Sequence, residues 1–231
     1  SSAASDVYKR QFKNNTKITD VTIPSSINSV GAEAFLGCTH LINLTIKDNK
    51  TELTCGKDLF KNTSLRNAHI GRTLMGNGVF GGISTLTNVS LSNNVKTLTP
   101  LMFYMTGLKT IDIPNSVDKI DGDAFNKANS LEKITVQNGN TKYASDGGAL
   151  YDKAKKTLIL LPHNSKITDF RIPETVVTIK RQAITSGYIK SLVIPSRIQT
   201  IETDAILCTK IERIYINNAV PPTVNEHGFT A

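Results

Sequence analysis

Four histidines, three cysteines and a scatter of carboxylates are the side chains here with reactive chemistry to offer. Zinc sites draw their imidazole and thiolate ligands from close local pairs. His40, His69, His163 and His227 stand far apart and form no H-x-x-H or H-E-x-x-H, so no metal is expected. Cys38, Cys55 and Cys208 are too few and too scattered for a disulfide framework, and buried thiols are the expected state of Cys38 and Cys208, with Cys55 left open. There is no G-x-S-x-G, no phosphate-binding G-x-x-x-x-G-K and no dinucleotide fingerprint. No catalytic residue, enzyme activity or cofactor is expected from these residues. Tripeptides such as those beginning at Asn14, Asn43, Asn62 and Asn88 match the glycosylation sequon, and chance accounts for them in a chain rich in Asn and Thr.

Composition narrows the partners. In 231 residues, 39% hydrophobic content can build a real core, and 27 Lys and Arg against 19 Asp and Glu leave a formal charge of +8. A polyanion would suit that charge, but the lysines are spread along the chain and there is no Trp, so a nucleic-acid platform is not expected. No apolar run is long enough to span a bilayer. Residues 1–12 show no charged segment followed by an apolar one, so no secretion signal is legible in the chain as given.

The elements that position these side chains come from a repeat. Apolar-x-x-apolar-x-apolar recurs at Ile18/Val21/Ile23, Leu41/Leu44/Ile46, Leu65/Ala68/Ile70, Leu86/Val89/Leu91 and Leu108/Ile111/Ile113. It returns at Leu131/Ile134/Val136, Ile167/Phe170/Ile172, Ile189/Leu192/Ile194 and Ile211/Ile214/Ile216. Successive first residues are 23, 24, 21, 22, 23, 36, 22 and 22 apart, so all but one gap fall in the 20–29 spacing of leucine-rich repeats. A second phrase keeps step with the first. Phe35, Phe60, Phe80, Phe103 and Phe125 follow the strands in five successive repeats, and Ile184 and Ile206 fill the place later, so a stack of rings is expected in the core. Pro24, Pro114, Pro173 and Pro195 directly follow a strand, where a missing N–H ends sheet pairing. Cys38 and Cys208 occupy one repeat position seven turns apart, roughly 34 Å at the sheet spacing, far beyond disulfide reach.

The segment 18–38, with Ile18, Val21, Ile23, Pro24, Ala34, Phe35 and Cys38, resembles the BspA-like subgroup of leucine-rich repeats, whose phrase runs approximately L-x-x-I-x-I-P-x-x-V-x-x-I-x-x-x-A-F-x-x-C. The resemblance covers about residues 18–224 and loosens in the second and third repeats, where Lys47 and Gly71 replace the proline. It implies a mainly β solenoid with short helical turns opposite a parallel sheet of about nine strands. It also implies a secreted or surface-exposed bacterial protein, commonly of gut or oral anaerobes such as Bacteroides, with a part in adhesion to host proteins, glycans or other cells.

The reading places a cap or linker at 1–17 and a single solenoid domain at 18–231, with a β-hairpin inserted at about 139–165, where the 36-residue gap falls. Asp146-Gly147 marks one turn there, and apolar runs flank a second, charged turn at 152–156. The insertion reads as a structural cover for the side of the repeat. Pro221-Pro222-Thr223-Val224 and Phe229 read as the opening of a further repeat. Strand alternation sends two columns outward, one from Asp20 to Arg213 and one from Thr22 to Tyr215. The early repeats offer small polar groups, whereas Lys133, Arg171, Arg213 and Tyr215 are of types enriched in binding hot spots, and with Asp112 and Asp169 they are the candidate ligand-binding residues. Asp112 and Asp169 lie two repeats apart on different columns, unlike a glycosidase pair, which needs roughly 5 to 9.5 Å. The competing readings are ordinary solvated side chains and a spacer or anchor domain of a larger surface protein; the ligand and the oligomeric state are not legible.

Overall fold

The computed structural model describes residues 8–218, 220–225 and 227–230. The chain divides into two compact units, Ser1–Ser130 and Leu131–Ala231. All nine repeat strands form where the apolar period placed them.

In the first unit, Asp20–Ile23, Asn43–Ile46, Asn67–Ile70 and Asn88–Leu91 make a parallel ladder in chain order. The pairing runs Asp20 to Asn43 to Asn67 to Asn88, so each residue type of the repeat lies beside its equivalent. Thr110–Ile113 follows as the fifth strand, outside that hydrogen-bonded ladder. Short strands opposite, Ser29–Val30, Leu53–Cys55 and Leu74–Met75, form a second parallel ladder. Between the two lie Leu41, Leu44, Ile46, Leu65, Ile70 and Leu86, all almost fully buried.

The third side of each turn carries the phenyl stack. Phe35, Phe60, Phe80, Phe103 and Phe125 follow one another with centroids 5.6 to 6.1 Å apart and planes within 16°. Phe12 extends the stack one step earlier, 5.2 Å from Phe35. The segment that carries it bonds to the next turn through Arg10 N–H to Ala32 O, Phe12 N–H to Ala34 O and Asn14 N–H to Leu36 O. Residues from Tyr8 onward therefore form the turn half of a repeat.

The short helical turns expected here are replaced by a different backbone, with no helix among the described residues. The residue two before the ring is left-handed at Arg10, Glu33, Asp58, Gly78 and Leu101, though not at Asp123 before Phe125. So is the residue two after it, as at Asn14, Gly37, Asn62, Gly82, Met105 and Lys127. A left-handed residue every four positions cannot propagate a right-handed helix. Instead, alternate peptides turn along the stack, as when Phe35 N–H donates to Leu59 O and Gly37 N–H to Lys61 O. At Gly37 (φ +73°) glycine takes the left-handed conformation without the strain a Cβ would bring.

In the second unit Asp169–Arg171, Ser191–Ile194 and Arg213–Ile216 form a three-stranded parallel ladder. The insertion is a three-stranded meander, with Tyr143–Asp146 antiparallel to Ala149–Asp152 and that strand antiparallel to Thr157–Leu160. Gly147 and Gly148 are both left-handed (φ +56° and +86°), which closes the first turn. Asp152 Oδ1 accepts the N–H groups of Lys156 and Thr157 and closes the second. Tyr151 is 1% exposed and packs with Leu158, Leu161, Ile179 and Ile184, so the insertion supplies part of the core. Thr157–Leu160 starts the parallel run continued by Thr178–Ile179, Thr200–Ile201 and Thr223–Val224. Thr223–Val224 and Phe229–Thr230 thus complete the ninth turn instead of opening a tenth, because their partners are the equivalent segments Thr200–Ile201 and Ile206–Leu207.

Candidate binding face

Outward side chains on a parallel ladder stack in columns at the strand spacing, so residue choice at two repeat positions decides the chemistry of the whole face. In the second unit one column is Asp169, Ser191, Arg213 and the next is Arg171, Val193, Tyr215. Asp169, Arg171 and Arg213 are exposed, and Tyr215 is 51% exposed. Asp169 is held by its neighbour, Thr168 Oγ1 donating to its Oδ2 at 3.0 Å. Four of the six candidate residues are therefore brought onto one three-stranded surface.

Lys133 belongs to the same unit but to Lys133–Val136, and its stem runs beside Gly148 of the insertion, where a Cβ would meet Lys133 Cγ at 3.2 Å. The insertion also binds that strand directly, Ile134 N–H donating to Gly148 O at 2.9 Å. Asp112 is exposed on Thr110–Ile113 in the first unit. Ser191 is only 7% exposed and offers little to a partner.

The columns omit a neighbouring row. Lys166, Tyr188 and Lys210 each precede the first apolar residue of a repeat, the register signal that could have found them. Lys166 Nζ lies 2.6 Å from the Tyr188 hydroxyl and 3.9 Å from its ring centroid, with Lys210 Nζ 5.9 Å away on the same ring. Lys190 next to them is matched by Glu212 at 3.3 Å. Arg171, Arg213, Lys166 and Lys210 make this side of the unit cationic and part aromatic.

The first unit presents a different surface. Asn43 Nδ2 donates to Asp20 Oδ1 at 2.7 Å, Asn67 Nδ2 to Asn43 Oδ1 at 2.8 Å and Asn88 Nδ2 to Asn67 Oδ1 at 2.9 Å. This amide ladder is anchored on Asp20, whose carboxyl is held below its ordinary value by the Thr19 hydroxyl and then by Asn43. Beside it His69 Nδ1 sits 2.9 Å from Ser90 Oγ, and His69 Nε2 sits 3.6 Å from Asp48 Oδ1. Among the described residues no three His, Cys, Asp or Glu side chains gather closely enough to hold a metal ion.

The thiols are committed to packing. Cys38 Sγ donates to Phe12 O at 3.0 Å and Cys208 Sγ to Ile184 O at 3.5 Å, the same contact to the preceding turn in both units. Cys55, buried in Leu53–Cys55, is likewise free, and burial pushes its pKa up to about 12. Among the described residues no helix is long and apolar enough to cross a membrane.

Six copies of a sequence profile described as the BspA type leucine rich repeat region match residues 5–132 and 163–230. No curated protein sequence matches the chain significantly. Among solved structures, a leucine rich cell surface protein from Faecalibacterium prausnitzii is similar, with 26% identity and a TM-score of 0.66 over 91% of this chain and 64% of that one. The pneumococcal vaccine antigen PcpA is 17% identical with a TM-score of 0.65 (91% and 62% covered). A leucine-rich repeat protein from Bacteroides ovatus is 19% identical with a TM-score of 0.59 (96% and 60% covered). The chain spans roughly six-tenths of the length of these structures, and the two weaker identities speak to fold alone.

Proposed function

The chain belongs to the BspA-type leucine-rich-repeat family, and from that premise we propose that it is a non-catalytic binding module of a bacterial surface or secreted protein, acting in adhesion to host proteins or other cells. The observation that carries the reading is the grouping of Arg171, Arg213 and Tyr215 on one exposed ladder beside Lys166, Tyr188 and Lys210. Arg and Tyr concentrate binding energy because they combine contact area with directed polar groups. Cationic heads in two adjoining rows favour a partner that presents carboxylates or sulfates. The similarity to a cell surface protein from Faecalibacterium prausnitzii supports the location.

The test is a triple variant, Arg171→Ala with Arg213→Ala and Tyr215→Ala, assayed by pull-down against matrix proteins and by attachment to host cells. Binding should weaken by about tenfold or more, the scale of one or two lost hot spots. Unchanged binding would remove this face from consideration and leave the spacer or anchor role in its place.

A further inference from the structure

The strand face of the first unit carries a groove whose chemistry differs from that of the cationic rows. It has a volume of about 390 Å³ and is lined by Asn43, Asn67 and Asn88 on one column, Thr45, His69 and Ser90 on the next, and Thr110 beyond them. No Lys, Arg, Asp or Glu lines it. The ring of His69 is its sole aromatic group. An ionic partner finds no counter-charge in it, and Leu44, Ala68 and Val89 add apolar surface beside the polar columns.

What it does offer is an ordered set of amides. A side-chain amide has two N–H donors and an oxygen with two lone pairs. In the ladder, Asn43 and Asn67 each spend one N–H on the preceding residue and one lone pair on the following amide. Each keeps one N–H and one lone pair for a ligand. A donor and an acceptor on one planar group match two adjacent hydroxyls of a sugar ring, one accepting and one donating. Successive amides repeat at the strand spacing, roughly 4.8 Å, close to the length of one pyranose in an extended chain.

The neighbouring column is held in place as well. His69 is flanked by Ser90 on one ring nitrogen and Asp48 on the other, so it does not have to be ordered on binding. We propose that this groove is a second binding site of the protein, for an uncharged, hydroxyl-rich ligand: a neutral oligosaccharide lying along the stack of strands. The site is independent of the cationic face of the second unit.

The experiment is a titration of 15N-labelled full chain with maltohexaose, cellohexaose, mannohexaose and, as the anionic counterpart, a heparin hexasaccharide. At least one neutral hexasaccharide should move the side-chain amide signals of Asn43, Asn67 and Asn88 and saturate in the millimolar range or tighter. Asn67→Leu should weaken that binding by about tenfold, the scale of a lost hot spot. Asn43→Leu, which removes the donor and acceptor of the neighbouring rung, should weaken it too, so the outcome does not hang on one variant's folding. The Arg171, Arg213 and Tyr215 triple variant should bind the sugar as the parent does, which separates this site from the proposed adhesive face. The inference is overturned if no neutral hexasaccharide shifts these amides, if heparin alone does so, or if both folded variants bind unchanged.

Discussion

Among the described residues Arg72 is the largest fully buried side chain, and all of its side-chain hydrogen-bond partners are backbone carbonyls. From the third repeat it reaches the turn after the first strand, where Nη2 donates to Pro24 O at 3.1 Å and to Ile27 O, and Nη1 to Ser25 O at 3.4 Å. Two of the three carbonyls have other donors, since Ile27 N–H reaches Pro24 O and Asn49 Nδ2 reaches Ser25 O. Ile27 O depends on Arg72. Hydrogen bonds to a charged group contribute about 1.5–3 kcal/mol net, and an orphaned buried carbonyl costs about 1–3 kcal/mol. Counting the Ile27 bond in full and the Pro24 bond in part gives about 3–4 kcal/mol. Arg72→Met fills most of the volume and removes a desolvated guanidinium whose Nε has no partner, which offsets part of the loss. A net destabilisation of about 2–3 kcal/mol is therefore expected for Arg72→Met in urea unfolding. Arg72→Lys should lose nearly as much, because one ammonium cannot span three carbonyls. In hydrogen exchange the Ile27 and Thr54 amides, which bond to Pro24 O and Asn28 O, should be the first to lose protection. A methionine variant within about 0.5 kcal/mol of the parent, the scatter of ordinary surface substitutions, would refute the strut. So would a lysine variant that behaves as the parent does.

Two further outcomes follow from the core. Phe80 is fully buried between Phe60 at 5.8 Å and Phe103 at 6.1 Å, so Phe80→Ala should cost about 3–5 kcal/mol, read as a lowered midpoint in thermal or urea unfolding; a loss under about 1 kcal/mol would mean that the stack closes over the gap. Burial raises the thiols of Cys55 and Cys208 from 9.0 to about 12 and about 11. Their unfolded forms ionise first, so the folded state holds more protons above pH 9 and stability should fall from there through about 11 and 12. Iodoacetamide at pH 8 should label none of the three cysteines before unfolding, and rapid labelling of the native chain would contradict the packing.

The repeat strands were legible because their signal is local: Leu108, Ile111 and Ile113 sit at fixed offsets within one strand, and the same offsets recur in the other eight. The outward columns followed from the same alternation, and the register places Asp169 with Arg213 and Arg171 with Tyr215 as that alternation requires. The phenyl stack was legible from Phe35 to Phe125, whereas Phe12 was hidden because its half-turn lacks the preceding strand phrase. Left-handed backbone at Leu101, Met105 and Lys127 had no sequence signal, since glycine or asparagine marks that conformation only at other places along the stack, Asn14, Gly37, Asn62, Gly78 and Gly82.

Sequence alone therefore settled which side chains point inward and how often, since both are properties of single turns. Tertiary structure decided what adjoining turns do to one another. The choice of stacked left-handed turns over helical ones, the joining of Asn43, Asn67 and Asn88 into an amide ladder, the crossing of Lys166 over Tyr188 and the reach of Arg72 back to Ile27 all link residues about twenty or more positions apart. Their energies depend on distances between turns, and no pattern within one turn encodes them.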